Sequence, residues 1–323
     1  MKDPSKLVVG VVYGGPSNEH SVSINTGRAV INALSPHYDV VDILIDKEGR
    51  WFRKGVQGDI SDILLATDVV FNALHGSFGE DGRVQRIFED LNIPYTGTKS
   101  FPSMIGMNKI LSKNAYEENG IKTPAYTIIR DVINFDEAAD NLFRNFPQPC
   151  VVKPSNAGSS IGVSIVKSRE MISGALKKAF EHSESVIVEE YIFGKEATCG
   201  VVENFKEEKI YALEPIEIIP PQNKFFDYDS KYDGSTQEIC PGNFTEEEKS
   251  KIQSMAIKAH QFLDCRHYSR SDFIISRNGI YILETNTLPG LTDESLLPKS
   301  IKAEGMEFSD FLKHLISLAI SND

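Results

Sequence analysis

The sequence is poor in cysteine, tryptophan and long apolar runs. Its four cysteines (Cys150, Cys199, Cys240, Cys265) are widely spaced and form no CxxC pair. That excludes a disulfide scaffold and points to free thiols in a reducing compartment. The seven histidines show no metal-binding spacing. The N-terminal apolar run extends only from Leu7 to Tyr13, too short for a signal core or a membrane span, and no later stretch approaches membrane length. A soluble cytoplasmic chain without a membrane partner is expected. Positive charge is scarce as well: 34 Lys and Arg stand against 46 Asp and Glu, a formal net charge of −12. Such a chain lacks the field that a phosphodiester backbone needs, so nucleic acid is excluded as a partner. A small anionic substrate remains open where basic residues gather or a metal bridges. There is no GxSxG elbow, no GK[ST] opening a helix, and no internal repeat.

What is present supports a real core: 41% of residues are hydrophobic and 25% charged. A length of 323 residues predicts two or three domains. KLVVGVVYGG, YDVVDILID and DVVFNALHG read as strands, with helical spacing from Val22 to Leu34 and in RVQRIFEDLNI, then a short strand IPYTG. This alternation predicts a doubly wound α/β domain on a parallel sheet over residues 1–103, with ligands beyond the carboxyl ends of its strands. NKILSKNAYEENG is a helix placing Lys109 one turn in. CVVKP, GVSIV and VIVEEYI are strands with a helix before the last, an α+β unit over 104–193. Residues 194–323 carry longer strands, the loop PPQNKFFDYDSKYDGSTQEICPG, a strong helix, a hairpin and two terminal helices. A loop of that length in a compact domain is often a lid.

The hairpin YSRSDFIISRNGIYILETN ends in oxygen-bearing side chains. A two-residue turn at Asn278-Gly279 would set Asp272 opposite Thr285, with Glu284 on the other face. A three-residue loop Arg277-Asn278-Gly279 would set Asp272 opposite Glu284 and Arg270 opposite Asn286, with Phe273, Ile275, Tyr281 and Leu283 on the core face. The second register gathers hard oxygen donors of the kind that suit magnesium on nucleotide phosphates, with an arginine beside them. By itself the hairpin reads equally well as a surface ion pair. In VVKPSNAGSSIGVS the backbone amides of Gly158, Ser159 and Ser160 can cradle phosphate above Lys153; a plain turn is the simpler alternative. Glu189, Glu190 and Tyr191 end a buried strand, and Glu19 and His75 lie in loops after the first and third strands.

In order, GGPSNEHSVSI, HGSFGEDG, GMNKILSK, VVKPSNAGSSIGVS, VIVEEYIFGKE, FDYDSKY, R-x-D and ETNTLPGLT resemble the D-alanine–D-alanine ligases of the ATP-grasp superfamily, over nearly the whole chain. The resemblance implies a two-domain ATP-grasp fold after the N-terminal domain, and ATP-dependent joining of two D-alanines through an acyl phosphate. It implies ATP phosphates at Lys109 and Lys153, beside the Ser160 amide read above, adenosine at Glu189, Tyr191, Ile192 and Glu196, and Ser159 in the closing loop. Lys231 and Tyr232 would lie on the lid. Asp272, Glu284 and Asn286 would hold two magnesium ions, or manganese. Arg270 and the Gly290 amide would stabilise the tetrahedral intermediate. Glu19 would hold the first substrate's ammonium, and Ser295 and Leu296 would contact the second substrate; His75, read from its own loop and not from the resemblance, is a candidate general base or substrate contact. A homodimer is also implied. The chain departs from the family pattern at Ala157, where an acidic residue is common, and at Glu190, where a lysine is common.

Overall fold

The computed structural model describes residues 7–158, 160–220, 236–292 and 294–321. The first sheet is five-stranded, in the order β4-β3-β2-β1-β5. β1 (Val8–Gly14) pairs in parallel with β2 (Asp39–Ile45) and β5 (Val69–Asn72). An antiparallel ribbon of β3 (Trp51–Arg53) and β4 (Val56–Gln57) is added at one edge. The segment IPYTG contributes one parallel bridge, Tyr95 to Val70, and no strand of its own. Side chains alternate. Val9, Val11 and Tyr13 pack on α1 (His20–Leu34), whereas Val12 joins Val41, Ile43, Ile45 and Trp51 on the opposite face. That opposite face is covered by α2 (Ile60–Leu64) and α3 (Arg83–Asp90) through Ile63, Leu64, Val84 and Phe88. Both faces are thus buried, as a parallel sheet requires.

α4 (Ser100–Met107) and α5 (Lys109–Glu118) lead into the second sheet. Asn108 accepts from the amides of Ile110 and Leu111, so the cap makes Lys109 the first helical residue and not, as its spacing suggests, one turn in. The sheet runs β6 (Tyr126–Arg130), β9 (Ser185–Glu190), β7 (Cys150–Pro154), β8 (Ser164–Val166), all antiparallel. One face, with Cys150, Val152, Val186 and Val188, packs under α6 (Phe135–Asn145) and α7 (Arg169–Phe180). Alternation leaves Lys153 and Glu189 on the other face.

The third sheet has six strands: β13 (Gln237–Ile239), β12 (Ile216–Ile219), β10 (Lys195–Phe205), β14 (Tyr268–Ser276) and β15 (Gly279–Asn286), with β11 (Glu208–Ala212) also on β10. β13 lies within the expected lid loop and pairs with β12. α8 (Glu246–Phe262) opens on a Thr245–Glu248 capping box and buries Ile252, Ala256 and Ala259 against Ala197, Cys199, Phe273 and Ile282. α9 (Leu296–Ala303) and α10 (Phe308–Ile320) close the chain. α10 returns to the first sheet, and Phe311, Leu312, Leu315 and Ile316 share a core with Val9, Val11 and Phe71. All four cysteines are free. Among the described residues no helix is long and apolar enough to cross a membrane.

The end of β1 is tightly specified. Gly14 has φ +91°, and a Cβ there would lie 2.2 Å from the Ile45 carbonyl oxygen. Gly14→Ala is therefore expected to cost ~2–4 kcal/mol of stability, read as a lower unfolding midpoint by circular dichroism.

Candidate active site

The hairpin reaches the expected arrangement by a different route. Its turn is Arg277-Asn278, one residue shorter than the expected loop, with Ser276 opposite Gly279 and Phe273 opposite Ile282. Continued regularly, this register would face Asp272 with Leu283. The register shifts between Phe273 and Asp272, leaving Leu283 without a counterpart and restoring Asp272 opposite Glu284 and Arg270 opposite Asn286. A bulge of this kind places successive side chains on one side of the strand, and Leu283 and Glu284 line the same cavity. The core face is corrected accordingly: Phe273 and Ile275 are joined by Ile280 and Ile282, not by Tyr281 and Leu283. Tyr281 lies beneath the ammonium of Lys122, 4.2 Å from its ring centroid.

Two rows of side chains cross the third sheet at this end. Thr198, Asp272 and Glu284 sit side by side on β10, β14 and β15; Gly200, Arg270 and Asn286 form the next row. Arg270 Nε and Nη2 donate to both Asp272 oxygens at 3.0 and 3.1 Å, and Thr198 Oγ1 donates to Asp272 Oδ1 at 2.6 Å. Asn286 Oδ1 accepts from the Leu288 amide, which fixes the amide at the turn into the Pro289-Gly290 segment. Lys109 Nζ lies 3.1 Å from Glu284 Oε2 and donates to the Ala157 carbonyl at 2.8 Å. The first helical lysine thereby links the glycine-rich loop to the acid on β15.

On the second sheet Lys153 Nζ donates to Glu189 Oε2 at 2.8 Å, and both side chains are buried. Burial alone would lower the Lys153 pKa, but the charge and hydrogen bond of Glu189 outweigh it and hold it above the ordinary lysine value. Burial would likewise raise Glu189, yet the charges of Lys153 and Lys113 hold it below the usual carboxylate range. Lys113 is a component that the motifs did not single out. Its spacing from Lys109, four residues on one helix, was the available signal.

Three adjoining cavities connect these groups. The first, of about 650 Å³, is lined by Glu19, His75, Arg270, Asn286, Gly290, Ser295 and Leu296 among others. The second, about 70 Å³, is lined by Lys153, Ser160, Asp272, Leu283 and Glu284. The third, about 460 Å³, is lined by Tyr191, Lys195, Glu196, Glu217 and Ile219. Lys109, Ala157 and Glu284 belong to the first and second; Glu196 and Ile218 belong to the second and third. A pocket of mixed polar and apolar lining, a small neck carrying cations and acids, and a slot between two sheets adjoin in that order.

Glu19 stands at the start of α1, with its Oε2 against Gly76 and Gly158: a Cβ on those glycines would come within 2.5 and 3.4 Å of it. His75 is buried, with Nε2 2.8 Å from Thr26 Oγ1 and Nδ1 3.5 Å from Glu80 Oε1. Glu189 lies beneath the cleft and, like Ile192, is absent from these cavity walls. Glu190 Oε1 accepts from the Ala125 amide and staples β6 to β9. Ser159, Lys231 and Tyr232 lie outside the described residues. Among the described residues no three His, Cys, Asp or Glu side chains converge as a metal site. The donors that fit a hard divalent ion are Asp272, Glu284 and the Asn286 amide, beside a phosphate-sized neck.

Two antiparallel sheets flanking this cleft, one carrying Lys153 and the other Arg270, Asp272 and Glu284, define an ATP-grasp enzyme. The model for the D-ala D-ala ligase C-terminus matches residues 115–317, and that for the D-ala D-ala ligase N-terminus matches residues 8–63 and 54–98. A D-alanine–D-alanine ligase of Geobacillus thermodenitrificans is 37% identical over 352 aligned positions, spanning 98% of this chain and 96% of that protein. The solved D-alanyl-alanine synthetase A of Vibrio cholerae superposes with a TM-score of 0.86 at 29% identity, covering 98% of this chain and 99% of that one. The VanG D-Ala:D-Ser ligase of Enterococcus faecalis superposes at 0.83 with 30% identity, over 97% and 99%. The chain belongs to the D-alanine–D-alanine ligase family.

Proposed function

We propose that this protein joins two molecules of D-alanine into D-alanyl-D-alanine for peptidoglycan precursor synthesis, converting ATP to ADP and phosphate. The observation that carries the reading is the linear order of the three cavities, which separates an amino-acid pocket from a nucleoside slot by a neck of cations and acids. A carboxylate is a poor electrophile toward an amine. Transfer of the γ-phosphoryl group to the first D-alanine converts its oxygen into a leaving group, and the second amine then attacks the carbonyl carbon. That amine loses a proton and inorganic phosphate departs.

Glu19 receives the first ammonium, with His75 closing that end. Lys109, Lys153 and Ser160, together with Ser159 of the same loop, hold the transferring phosphates. Phosphoryl transfer depends mainly on positioning and charge neutralisation, which these groups supply. Arg270 and the Gly290 amide face the developing oxyanion. Ser295 and Leu296 bound the acceptor, and Tyr191 and Glu196 line the adenosine slot, with Ile192 beside Tyr191 in the chain. Glu189, carried in the family pattern to the adenosine site, acts here through Lys153 at the neck. Asp272, Glu284 and Asn286 would hold two magnesium ions, or manganese, which when bound neutralise phosphate charge.

An acyl phosphate hydrolyses if water reaches it, so the segment 221–243 serves as a lid. Lys231 and Tyr232 lie on it, and Tyr232 with Ser159 and Glu19 links lid to substrate. Tyr232→Phe is expected to loosen acceptor choice and to raise ATP hydrolysis without dipeptide; unchanged coupling would remove that role.

The units 1–103, 104–193 and 194–323 act as substrate domain, central ATP-grasp domain and C-terminal ATP-grasp domain of a cytoplasmic homodimer. A second reading, D-serine as acceptor in the same site, draws on the likeness to the D-Ala:D-Ser ligase. The deciding assay is phosphate release from MgATP with D-alanine, L-alanine, D-lactate or D-serine, with products weighed by mass spectrometry. D-Alanine-dependent release with D-alanyl-D-alanine supports the proposal. Nucleotide binding without turnover would leave a sensor instead.

A further inference from the structure

Lys113 is fully buried, an unusual place for an ammonium. Its Nζ lies 3.3 Å from Glu189 Oε1 and donates to Thr123 Oγ1 at 2.6 Å and to the Pro124 carbonyl at 3.2 Å. The other Glu189 oxygen is already engaged by Lys153. One lysine would neutralise this carboxylate, and an apolar residue at position 113 would avoid the desolvation of a second cation. The second lysine therefore calls for a reason beyond packing.

The contacts of α5 supply one. Lys109, Lys113 and Tyr116 fall at i, i+4 and i+7 and share a face. Lys109 reaches Glu284 on β15, and Tyr116 donates to Thr285 on β15. Lys113 alone of the three touches Glu189 of the second sheet. It also reaches β15 through Thr123, whose hydroxyl donates to the Ile282 carbonyl at 2.9 Å, while the Ile282 amide donates to Lys122. Ile282 is the last regularly paired residue before the unpaired Leu283. A continuous path thus runs from Lys153 through Glu189, Lys113 and Thr123 to the bulged strand that carries Glu284.

We infer that Lys113 is a positioning residue for the nucleotide. Through its ion pair with Glu189 Oε1, it limits the hold of that carboxylate on Lys153, which keeps its remaining donors for phosphate. Through Thr123 it fixes this pair relative to the strand of Glu284, so the cationic and acidic walls of the neck keep one spacing. This inference rests on the nucleotide-binding part of the function proposed above.

The surroundings give it a pH signature. Lys113 faces Glu189 on β9, Lys153 on β7, the Tyr126 ring on β6 and Glu117 on its own helix. Burial, opposed by Glu189 and reinforced by Lys153, pushes its pKa down to about 8, whereas Lys153 stays charged well above that. As pH rises through about 8, the Lys113 charge is lost. Glu189 then draws harder on Lys153, and nucleotide affinity falls. Stability moves the other way: between about 8 and the ordinary lysine value of 10.5 the unfolded chain binds more protons, so the fold gains as pH rises.

The test is binding of a non-hydrolysable ATP analogue with magnesium, by calorimetry from pH 7 to 9, with steady-state kinetics alongside. Lys113→Met is expected to raise the Kd and the KM for ATP about tenfold, which is ~1.4 kcal/mol. The KM for D-alanine should stay level, and the alkaline loss of affinity expected of the wild type should vanish. Thr123→Val should raise the Kd by roughly threefold, and it decides the matter alone if Lys113→Met does not fold. A lowered melting midpoint with unchanged Kd and pH profile would reduce Lys113 to a structural role and overturn the inference. If the wild type makes no dipeptide while Lys113→Met still loses analogue binding, the ligase reading falls and this inference stands.

Discussion

Arg270→Met is expected to slow ligation by about a thousandfold at saturating substrates, the order found when a preorganised oxyanion donor is removed. Arg270 lines the amino-acid cavity, and its guanidinium is fixed by both oxygens of Asp272, which lines the neck. Such a bidentate pair sets the plane as well as the position of the remaining donors. Arg270 and Gly290 line the same cavity, in which the proposed tetrahedral oxyanion would form. Methionine keeps the length and apolar stem of the side chain, and Asp272 retains its hydrogen bond from Thr198, so the effect should appear in kcat more than in folding. Rapid-quench measurement of dipeptide with D-alanine and ATP checks it, with analogue binding as the control. A kcat within about tenfold of the wild type would be too small for a donor of this kind and would remove Arg270 from the intermediate's environment.

Glu284→Gln is expected to lower kcat/KM for ATP by a comparable factor, roughly a thousandfold or about 4 kcal/mol, through a different part of the reaction. Glu284 lines both the amino-acid cavity and the neck. It is the carboxylate opposite Asp272 and the partner of Lys109. Glutamine preserves its shape and an acceptor for Lys109 but removes the charge that a divalent ion needs. The loss should therefore come with weaker binding of Mn2+ in the presence of nucleotide, measurable by electron paramagnetic resonance. Undiminished Mn2+ affinity would place the metal elsewhere and leave Glu284 as an anchor for Lys109.

These two substitutions concern residues whose chemistry and grouping could be read in the linear chain. R-x-D and E-T-N at the ends of two adjacent strands announce polar groups on one face, because side chains alternate with a period of two. The route by which they come together was not readable. A shorter turn and a compensating bulge give the same partners as a longer loop, and pattern alone cannot separate two offsets that cancel. The consequence appears in the core, where Ile280 and Ile282 take the places expected for Tyr281 and Leu283. It also appears in the cleft, where Leu283 joins Glu284. Lys113 escaped for a different reason. A lysine on a helix is nearly always solvated, and only the approach of β9 and the 122–124 segment buries this one.

The sequence by itself determined the alternating strands and helices, the glycine-bearing turns, and the identity of the cations and acids at the ends of strands. These follow from local steric preference and from hydrophobic periodicity, which act over a few residues. The tertiary structure decided which sheets face each other, where the hairpin slips register, and that the C-terminal helix completes the core of the first sheet. It also decided which carboxylate each buried lysine meets. Such outcomes depend on packing and desolvation between segments far apart in the chain, where several pairings satisfy the same local pattern and only the filled interior selects one.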